Sequence, residues 1–571
     1  MEFDKLVDVY EELEKTASGN QMREILSDFF KKVPKEDIAL VSYLTLGQIA
    51  SEYESAVLGL AEKTVLKAIS SAGGVSLKKV QEIMQKTGDV GLTAEKVLQK
   101  KPQTLIPLGK LTIQCLYDIL HKIVTLSGTG SQDKKTQLLV SALQKASPQG
   151  AKYLTRIVLG TLRMGAGDMT VIDSLAIAFT GDKKNKEHLE RAYNICPDVG
   201  VIAETLATHG LKGLEKIQVR VGRPIKMMLA QRVKEWEEVV KKIPGTLAAE
   251  GKYDGERVQA HKTTEGKVIL FSRRLENITD QFPDLVEYMQ KQINAKEFII
   301  EAEILAIDKE GKHLPFQTLM QRRRKHDIEE YIKKIPVQAK VFEILYLNGK
   351  SFLNEPYKKR IDHIEKIVHK GKHCTTADRI ITDNITKLKT FFGEMLEDKQ
   401  EGIMIKSLEG TYQAGTRGWN WIKWKKDYSQ DMIDTFDLVI IGAFYGRGKR
   451  HGTYGAFLCA VYNAKEDTFE TVCKLGTGLT DDMLASLPIK LDAYKVKMKP
   501  GRVVAKKEME ADVWFTPQIV VEVLAAEITK SPFHTCASGL ALRFPRFVRL
   551  RDDKKAEQAT TSEEVQDMFE K

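Results

Sequence analysis

Between residue 1 and about residue 220, apolar positions recur every three or four residues. In "YESAVLGLAEKTVLKAIS" and "KYLTRIVLGTLRMGAG" they fall on one side of a 3.6-residue period, the pattern of amphipathic helices packed on a core. β-Branched alternation is scarce there, so an all-α region is predicted. Near residue 217 the texture changes. "QVRVGRPIKMMLAQRV" leads through a charged helix into "KKIPGTLAAEGKYDGERVQAHK", where alternate residues become apolar as in half-buried strands. From 221 to 428 strands and helices mix, which predicts an α/β (α+β) domain. From 430 to 555 short apolar alternations and Gly-rich turns, such as "FDLVIIGAFYGRGKRHGTYGAFLCAVYN", predict a small all-β barrel. In the tail "ATTSEEVQDMFEK", Thr561 and Glu564 have the spacing of a capping box, so a closing helix is expected.

Composition narrows the class of protein. A chain of 571 residues is too long for one core, in keeping with a multi-domain reading. Its 88 Lys+Arg against 78 Asp+Glu give a formal charge of +10, which suits a polyanionic partner without naming one. The amino terminus "MEFDKLVDVYEELEKT" is charged from its second residue and lacks the apolar core of a secretory signal, so export is not expected. No run of eighteen apolar residues occurs, and no membrane partner is expected. Cys115, Cys196, Cys374, Cys459, Cys473 and Cys536 stand singly, with no C-x-x-C pair. That argues against a zinc ribbon or a disulfide framework and for a reducing, intracellular compartment.

Candidate chemistry gathers in the middle of the chain. In "AAEGKYDGERVQAH", Lys252, Asp254, Gly255 and Arg257 form the pattern K-x-D-G-x-R. Downstream, "EFIIEAEILAID" puts Phe298, Ile300, Ala302 and Ile304 on one face of a strand and Glu301 and Glu303 on the other. "EGIMIKS" sets Glu401 at the head of an apolar strand and Lys406 at its far end. In "GWNWIKWKKDY", Lys423 and Lys425 share a face by strand period, although lysines interleaved with Trp419, Trp421 and Trp424 equally describe a solvated edge strand. Together the segments supply a nucleophile, phosphate-binding cations, and two carboxylates, Glu303 and Glu401, fit for Mg²⁺. A lysine attacks phosphorus only as the free amine, and crowding by Lys406, Lys423 and Lys425 is expected to favour that form. "GKS" at 349–351 looks like the end of a Walker A loop, but Ile344 stands where the first glycine is required.

These residues resemble, over nearly the full length and in family order, the ATP-dependent DNA ligases of the archaeal and eukaryotic replicative type. "KYDGER" looks like the adenylation motif, followed by "FSRRLENIT", "FIIEAEILAID", "VFEILYLNG", "EGIMIKS", "WIKWKKDY" and "ALRFPRFVRLRDDK". The resemblance implies that Lys252 takes AMP from ATP as a phosphoramide and that Glu250 lies beside the adenine. It implies Arg257 and Arg273 on ribose or phosphate, Phe342 stacked on the base, and Glu303 and Glu401 serving ribose or metal, with Mg²⁺ or Mn²⁺. Lys406, Lys423, Lys425 and Arg417 would contact the nucleotide. Arg543 and Arg546, with Asp552 and Lys554 nearby, would approach its pyrophosphate.

The family architecture implied is an all-helical DNA-binding domain at 1–220, an adenylation (nucleotidyltransferase) domain at 221–428 and an OB-fold domain with a C-terminal helix at 429–571. The implied partner is nicked double-stranded DNA, bound by a monomer, in the cytoplasm or nucleoid if the source is archaeal. "LSGTGSQDKKTQLL" resembles the family's minor-groove loop, with Gly128, Gly130, Lys134 and Lys135 toward phosphate; its other reading is a surface loop. A sliding-clamp peptide could begin at Gln103, although Leu105 and Ile106 replace the usual aromatic pair. Two rival readings share parts of this pattern. An RNA ligase or capping enzyme shares the lysine chemistry, and a non-catalytic DNA-binding scaffold shares the charge and the barrel.

Overall fold

The structure, a computed structural model, describes residues 1–16, 18–54, 56–100, 109–162, 164–233, 235–323, 328–369, 371–425, 435–446 and 453–570. The chain divides into two compact units, residues 1–426 and 427–571.

The first unit opens with twelve α-helices among the described residues, from Asp4–Glu14 to Val199–Glu215, which enclose one apolar core. Local chemistry marks where the helices begin. Ser18, Ser76, Asp89, Thr112, Ser147 and Asp198 each accept a backbone N–H from the first turn of the helix that follows. Gly74 and Gly88 end two of them at φ 63° and 64°, where a side chain would be strained. The proposed groove loop precedes the helix Ser131–Lys145, with Gly128 and Gly130 at φ 84° and 77°. Lys134 is exposed there, but Lys135 is buried and donates to the Leu58 carbonyl at 3.1 Å. Its charge is spent on a backbone oxygen and is not offered at the loop, a departure from the sequence expectation. Gln103 lies outside the described residues.

Among the described residues, eleven strands follow within the first unit: β1 (Leu229–Arg232), β2 (Leu247–Lys252), β3 (Glu256–Lys262), β4 (Val268–Ser272), β5 (Phe298–Ala306), β6 (Val337–Leu347), β7 (Lys350–Ser351), β8 (Cys374–Thr376), β9 (Arg379–Thr382), β10 (Gly402–Ser407) and β11 (Arg417–Lys425). They build two sheets. One has the order β1-β11-β10-β2-β9; the other runs β4-β3-β5-β6-β7, with β8 also paired to β6. β11 is an internal strand between β1 and β10, so the solvated-edge reading of its lysines does not hold. The "GKS" segment forms the short β6–β7 hairpin, with Gly349 at φ 90° in its turn.

Each sheet is apolar on one face. In the first, Leu247, Ala249, Ile403, Ile405, Ile422 and Trp424 point back against the helices Trp236–Lys242 and Ile385–Glu397, where Trp236 stacks on Trp424 at 4.0 Å. In the second, Phe298, Ile300, Ala302 and Ile304 join Val258, Ala260 and Val341 in another core. The intervening residues point to the opposite face, because strand side chains alternate; there polar side chains stand beside buried apolar ones such as Ile299, Leu305 and Leu345.

The second unit is strand-rich: β12 (Thr435–Tyr445), β13 (Tyr454–Asn463), β14 (Thr468–Leu475), β15 (Lys495–Val496), β16 (Val503–Val504), β17 (Val513–Phe515), β18 (Val520–Leu524), β19 (Glu527–Lys530), β20 (Leu540–Arg543) and β21 (Arg546–Leu550). β15, β17, β12, β13, β14 and β16 are joined in that order, β18 bridges β12 to β21, and β19 pairs with β20. Two apolar clusters line this sheet system. The closing helix Ser562–Glu570 carries the capping box read from sequence. The Thr561 N–H donates to Glu564 Oε2 at 2.7 Å, and the Glu564 N–H donates to Thr561 Oγ1 at 3.2 Å.

Asp198 illustrates how the helical part is tied together. It caps Val199–Glu215 through the Val201 N–H at 3.0 Å and accepts the hydroxyls of Tyr43 at 2.5 Å and Tyr53 at 3.2 Å. Asp198→Ala removes a cap and strands two phenols, at a cost of about 2 kcal/mol. Hydrogen exchange should show the amides of Val199–Glu215 losing protection, whereas unchanged protection would mean the cap contributes little.

Candidate active site

Strand register assembles the site. β2 ends at Lys252, the chain turns through Tyr253, Asp254 and Gly255, and β3 then enters the other sheet, so the K-x-D-G-x-R run crosses between the two. The turn needs its glycine. A Cβ on Gly255 would lie 2.4 Å from the Ile304 carbonyl oxygen and 2.8 Å from Glu303 Cγ, so the backbone is pressed onto β5. In the first sheet Gly402 faces Lys252 across one strand boundary and Lys425 across the other, while Met404 faces Glu250 and Lys423. Glu250, Lys252, Lys423 and Lys425 therefore share the face opposite the apolar core. In the second sheet Arg257 is paired with Glu303.

Between these faces lies a cleft of about 310 Å³. Lys252, Glu250, Arg257, Arg273, Glu303 and Phe342 line it, as do Glu401, Lys406, Arg417, Lys423 and Lys425. The residues of the first unit that the resemblance assigned to the nucleotide or its metal thus border one cavity. Arg273 and Arg417 are exposed, and Glu250 and Lys406 are buried.

The charges in the cleft are arranged differently from a simple crowd of lysines. Lys252 Nζ sits 2.5 Å from Glu401 Oε2, and Lys425 Nζ sits 2.5 Å from the same oxygen. Burial alone would raise the Glu401 carboxyl, but the two lysines overcome it and hold it below the usual range. Lys406 turns away from Lys252: its ammonium lies 2.6 Å from Glu250 Oε2 and donates to the Tyr357 hydroxyl and the Phe342 carbonyl, both at 3.0 Å. The crowding expected from sequence is corrected accordingly, because carboxylates intervene. Two lysines of the cleft are pushed down: Lys423 by burial and then by Lys425 and Lys252, and Lys406 by its burial.

Arg257 is fixed on three sides. It donates to the Met228 carbonyl and to Glu301 Oε2, each at 2.8 Å, and lies 5.5 Å from the Phe342 ring and 5.2 Å from that of Trp421. Glu301 and Glu303 do extend from one face of β5, but their tasks separate. Glu301 is fully buried and also accepts from Gln259 at 3.2 Å and Tyr412 at 2.8 Å, and it is not among the residues bordering the cleft. Glu303 borders the cleft, and burial pushes its carboxyl up to about 7. No ion pair of Glu303 is found among the described residues.

Sequence reasoning missed Tyr357 and Arg379. Both bond Glu250 Oε1, Arg379 through Nε at 2.7 Å, and they stand more than a hundred positions away in the chain. No local pattern announces such a contact. Trp421, read as part of a possible edge, also borders the cleft, together with Leu229, Ala230 and Met404.

The C-terminal residues belong to the second unit. Arg543 ends β20 with Nη1 2.5 Å from Glu527, and Arg546 opens β21 exposed. Asp552 pairs with Lys490 at 3.1 Å and Lys554 with Asp437 at 2.7 Å, so these two are committed to partners inside that unit.

Comparison with known proteins identifies the lineage. Family profiles match at residues 2–176 (DNA ligase N terminus), 227–425 (ATP dependent DNA ligase domain) and 450–554 (ATP dependent DNA ligase C terminal region). "DNA ligase 2" of Thermofilum pendens is 47% identical, over 99% of this chain and 96% of its own. The chain belongs to the ATP-dependent DNA ligases. Other relatives of this ligase include "DNA ligase" of Caldivirga maquilingensis, 44% identical over 100% of this chain and 97% of its own, and "DNA ligase" of Nitrosopumilus maritimus, 43% identical over 99% and 97%. A solved structure, "Pmar-Lig_Pre.", shares the fold of the ligase, with a TM-score of 0.55 at 16% identity over 96% of this chain and 99% of that one. Among the described residues, no helix of the ligase is long and apolar enough to cross a membrane.

The Glu303 carboxyl yields a prediction about stability. Its folded value, about 7, lies above the ordinary 4.5, so between those limits the folded ligase holds a proton that the unfolded chain releases. Stability from this group is therefore present at acid pH and lost as pH rises toward 7. Glu303→Gln should stabilise the nucleotide-free ligase at pH 8 by on the order of 2 kcal/mol and leave it unchanged at pH 4. Denaturation midpoints at the two pH values test this, and an equal effect at both would rule it out.

Proposed function

We propose that the ligase seals nicks carrying a 5′-phosphate and a 3′-hydroxyl in duplex DNA, through a Lys252–AMP phosphoramide, in replication, repair and recombination. The observation that carries the reading is the position of Lys252: its amine borders a cleft lined by both cations (Lys406, Lys423, Lys425, Arg257, Arg273, Arg417) and carboxylates (Glu250, Glu303, Glu401). No non-catalytic scaffold requires that arrangement. The long helical region favours a DNA ligase over a capping enzyme.

Chemistry starts from the Lys252–Glu401 pair. The amine must leave Glu401 and lose its proton before its lone pair attacks the α-phosphorus of ATP, forming the N–P bond as pyrophosphate departs. Lys423, Lys425, Arg417 and Arg273 are suited to hold phosphate oxygens, and Lys406 supports the base end through Glu250. Phe342 offers its ring to the base, and Arg257, immobilised by Glu301, presents a fixed cation to ribose or phosphate. Glu303 and Glu401 fit a divalent cation: both border the cleft, both are hard oxygen donors, and Glu303 is a half-buried carboxyl with no ion pair among the described residues. Mg²⁺, or Mn²⁺ in its place, would there neutralise charge on the triphosphate. In the second step AMP passes to the 5′-phosphate of the nick. In the third the 3′-hydroxyl attacks that phosphate and AMP leaves.

The division of labour proposed is a DNA-binding helical domain at 1–220, an adenylation domain at 221–428 and an OB-fold domain at 429–571. Arg543 and Arg546 would assist departure of pyrophosphate, with Asp552 and Lys554 maintaining their strand. Gly128, Gly130 and Lys134 would meet the duplex backbone, binding it by phosphate and shape with little sequence preference. The protein is taken to act as a monomer. A sliding clamp reached through the segment at Gln103 is tested by pull-down with Gln103→Ala as control.

Lys252→Ala should acquire no label from α-labelled ATP yet still seal a nick that already carries a 5′-adenylate. Labelling of that variant at the normal rate would remove Lys252 from the mechanism. Affinity for nicked duplex should fall steeply, by tenfold or more, between about 50 and 200 mM salt, as expected when several phosphates are neutralised. A flat response in a binding titration would contradict the phosphate-based grip.

A further inference from the structure

Glu250 is a carboxylate with nearly all its hydrogen-bonding capacity taken. Oε1 accepts from Arg379 Nε at 2.7 Å and from the Tyr357 hydroxyl; Oε2 accepts from Lys406 Nζ at 2.6 Å. Each carboxylate oxygen can accept two hydrogen bonds. Oε1 is therefore saturated, and one acceptor position is left, on Oε2. The side chain is 1% exposed and borders the cleft, so that position is available only to something inside it. Burial alone would raise the Glu250 carboxyl, but Lys406 and Arg379 outweigh it and hold it below the usual range. The group is thus an ionised acceptor with no proton to donate.

The geometry points to Arg379 and Tyr357 as positioning residues for base selection: by fixing the Glu250 carboxylate with a single open acceptor, they make the cleft take a 6-amino purine and refuse a 6-oxo purine. The inference deepens the ATP-binding reading above and rests on it. A 6-amino group brings an N–H to the open position. A 6-oxo group brings a second acceptor against a buried anion, which is repulsive and leaves both groups unsatisfied. Arg379 acts at a distance from the nucleotide. Its own contacts are Glu250, Glu365 at 3.1 Å and the Tyr357 hydroxyl at 3.5 Å, and it is not among the residues bordering the cleft. Without its guanidinium, Glu250 loses both an anchor and a charge that keeps it ionised. A carboxyl free to rotate or to take a proton could donate to a 6-oxo group, so discrimination should weaken before catalysis does.

The test compares nucleotidylation kinetics on ATP and on inosine triphosphate, whose base carries a 6-oxo group and an N1–H where adenine has a 6-amino group and an unprotonated N1. It uses the full-length wild type, Arg379→Met, Arg379→Lys, Tyr357→Phe and Glu250→Gln. Arg379→Met should lower the ATP:ITP ratio of kcat/KM at least tenfold, mostly through KM for ATP, and Arg379→Lys should restore part of it. Tyr357→Phe, which keeps the ring, should lower the ratio less. Should Arg379→Met fail to fold, an unaltered ratio in both Arg379→Lys and Tyr357→Phe would overturn the inference. So would equal losses on both nucleotides in Arg379→Met, since a structural role alone predicts that. Glu250→Gln separates the two levels of argument. If its ratio falls while that of Arg379→Met does not, the positioning role is wrong and the base-facing role of Glu250 stands. A wild-type ratio in Glu250→Gln would overturn both.

Discussion

The alternation of side chains along β2, β10 and β11 is the constraint on which the site depends. One face of that sheet must be dry enough to hold Ala249, Ile405, Ile422 and Trp424 against two helices, and the same backbone must present Glu250, Lys252, Lys423 and Lys425 on the other. Because the period is two, a one-residue slip would send the lysines into the core and the apolar residues into the cleft. Register is therefore enforced by the core, and the reactive geometry inherits the precision of hydrophobic packing without having to provide it.

Polar groups then complete what register begins. Glu401 sits between Lys252 and Lys425, Glu250 between Lys406 and Arg379, and Glu301 between Arg257, Gln259 and Tyr412. Glu250 and Glu301, the buried ones, are matched by donors, which is how such groups are tolerated in a protein interior. Glu303 stands outside this scheme, bordering the cleft with its carboxyl displaced upward. Buried charges without a direct partner are rare and concentrate where a ligand arrives to complete them.

Much of this was legible in the sequence, and the reasons are physical. Strand period placed Lys423 with Lys425 and Glu301 with Glu303, and a spacing of three marked the cap formed by Thr561 and Glu564; such patterns are local, and local patterns survive in one dimension. What sequence could not display was pairing across distance. That Lys406 faces Glu250, that Lys135 reaches a carbonyl at Leu58, and that Glu301 serves Arg257 all depend on which strand or loop lies alongside. The sequence leaves the choice between edge and interior for β11 open for the same reason, since its neighbour β1 is contributed from nearly two hundred residues upstream.

The Lys252–Glu401 contact also bears on how the protein fares between turnovers. An amine with its lone pair exposed in an accessible cavity reacts with whatever electrophile diffuses in, including cyanate, aldehydes and activated acyl groups. Here the Lys252 amine lies 2.5 Å from Glu401 Oε2, with Lys425 on the same oxygen, so it is engaged by a carboxylate within the cleft. Under the proposed mechanism, a partner that occupies the nucleophile at rest would also limit its reaction with stray electrophiles.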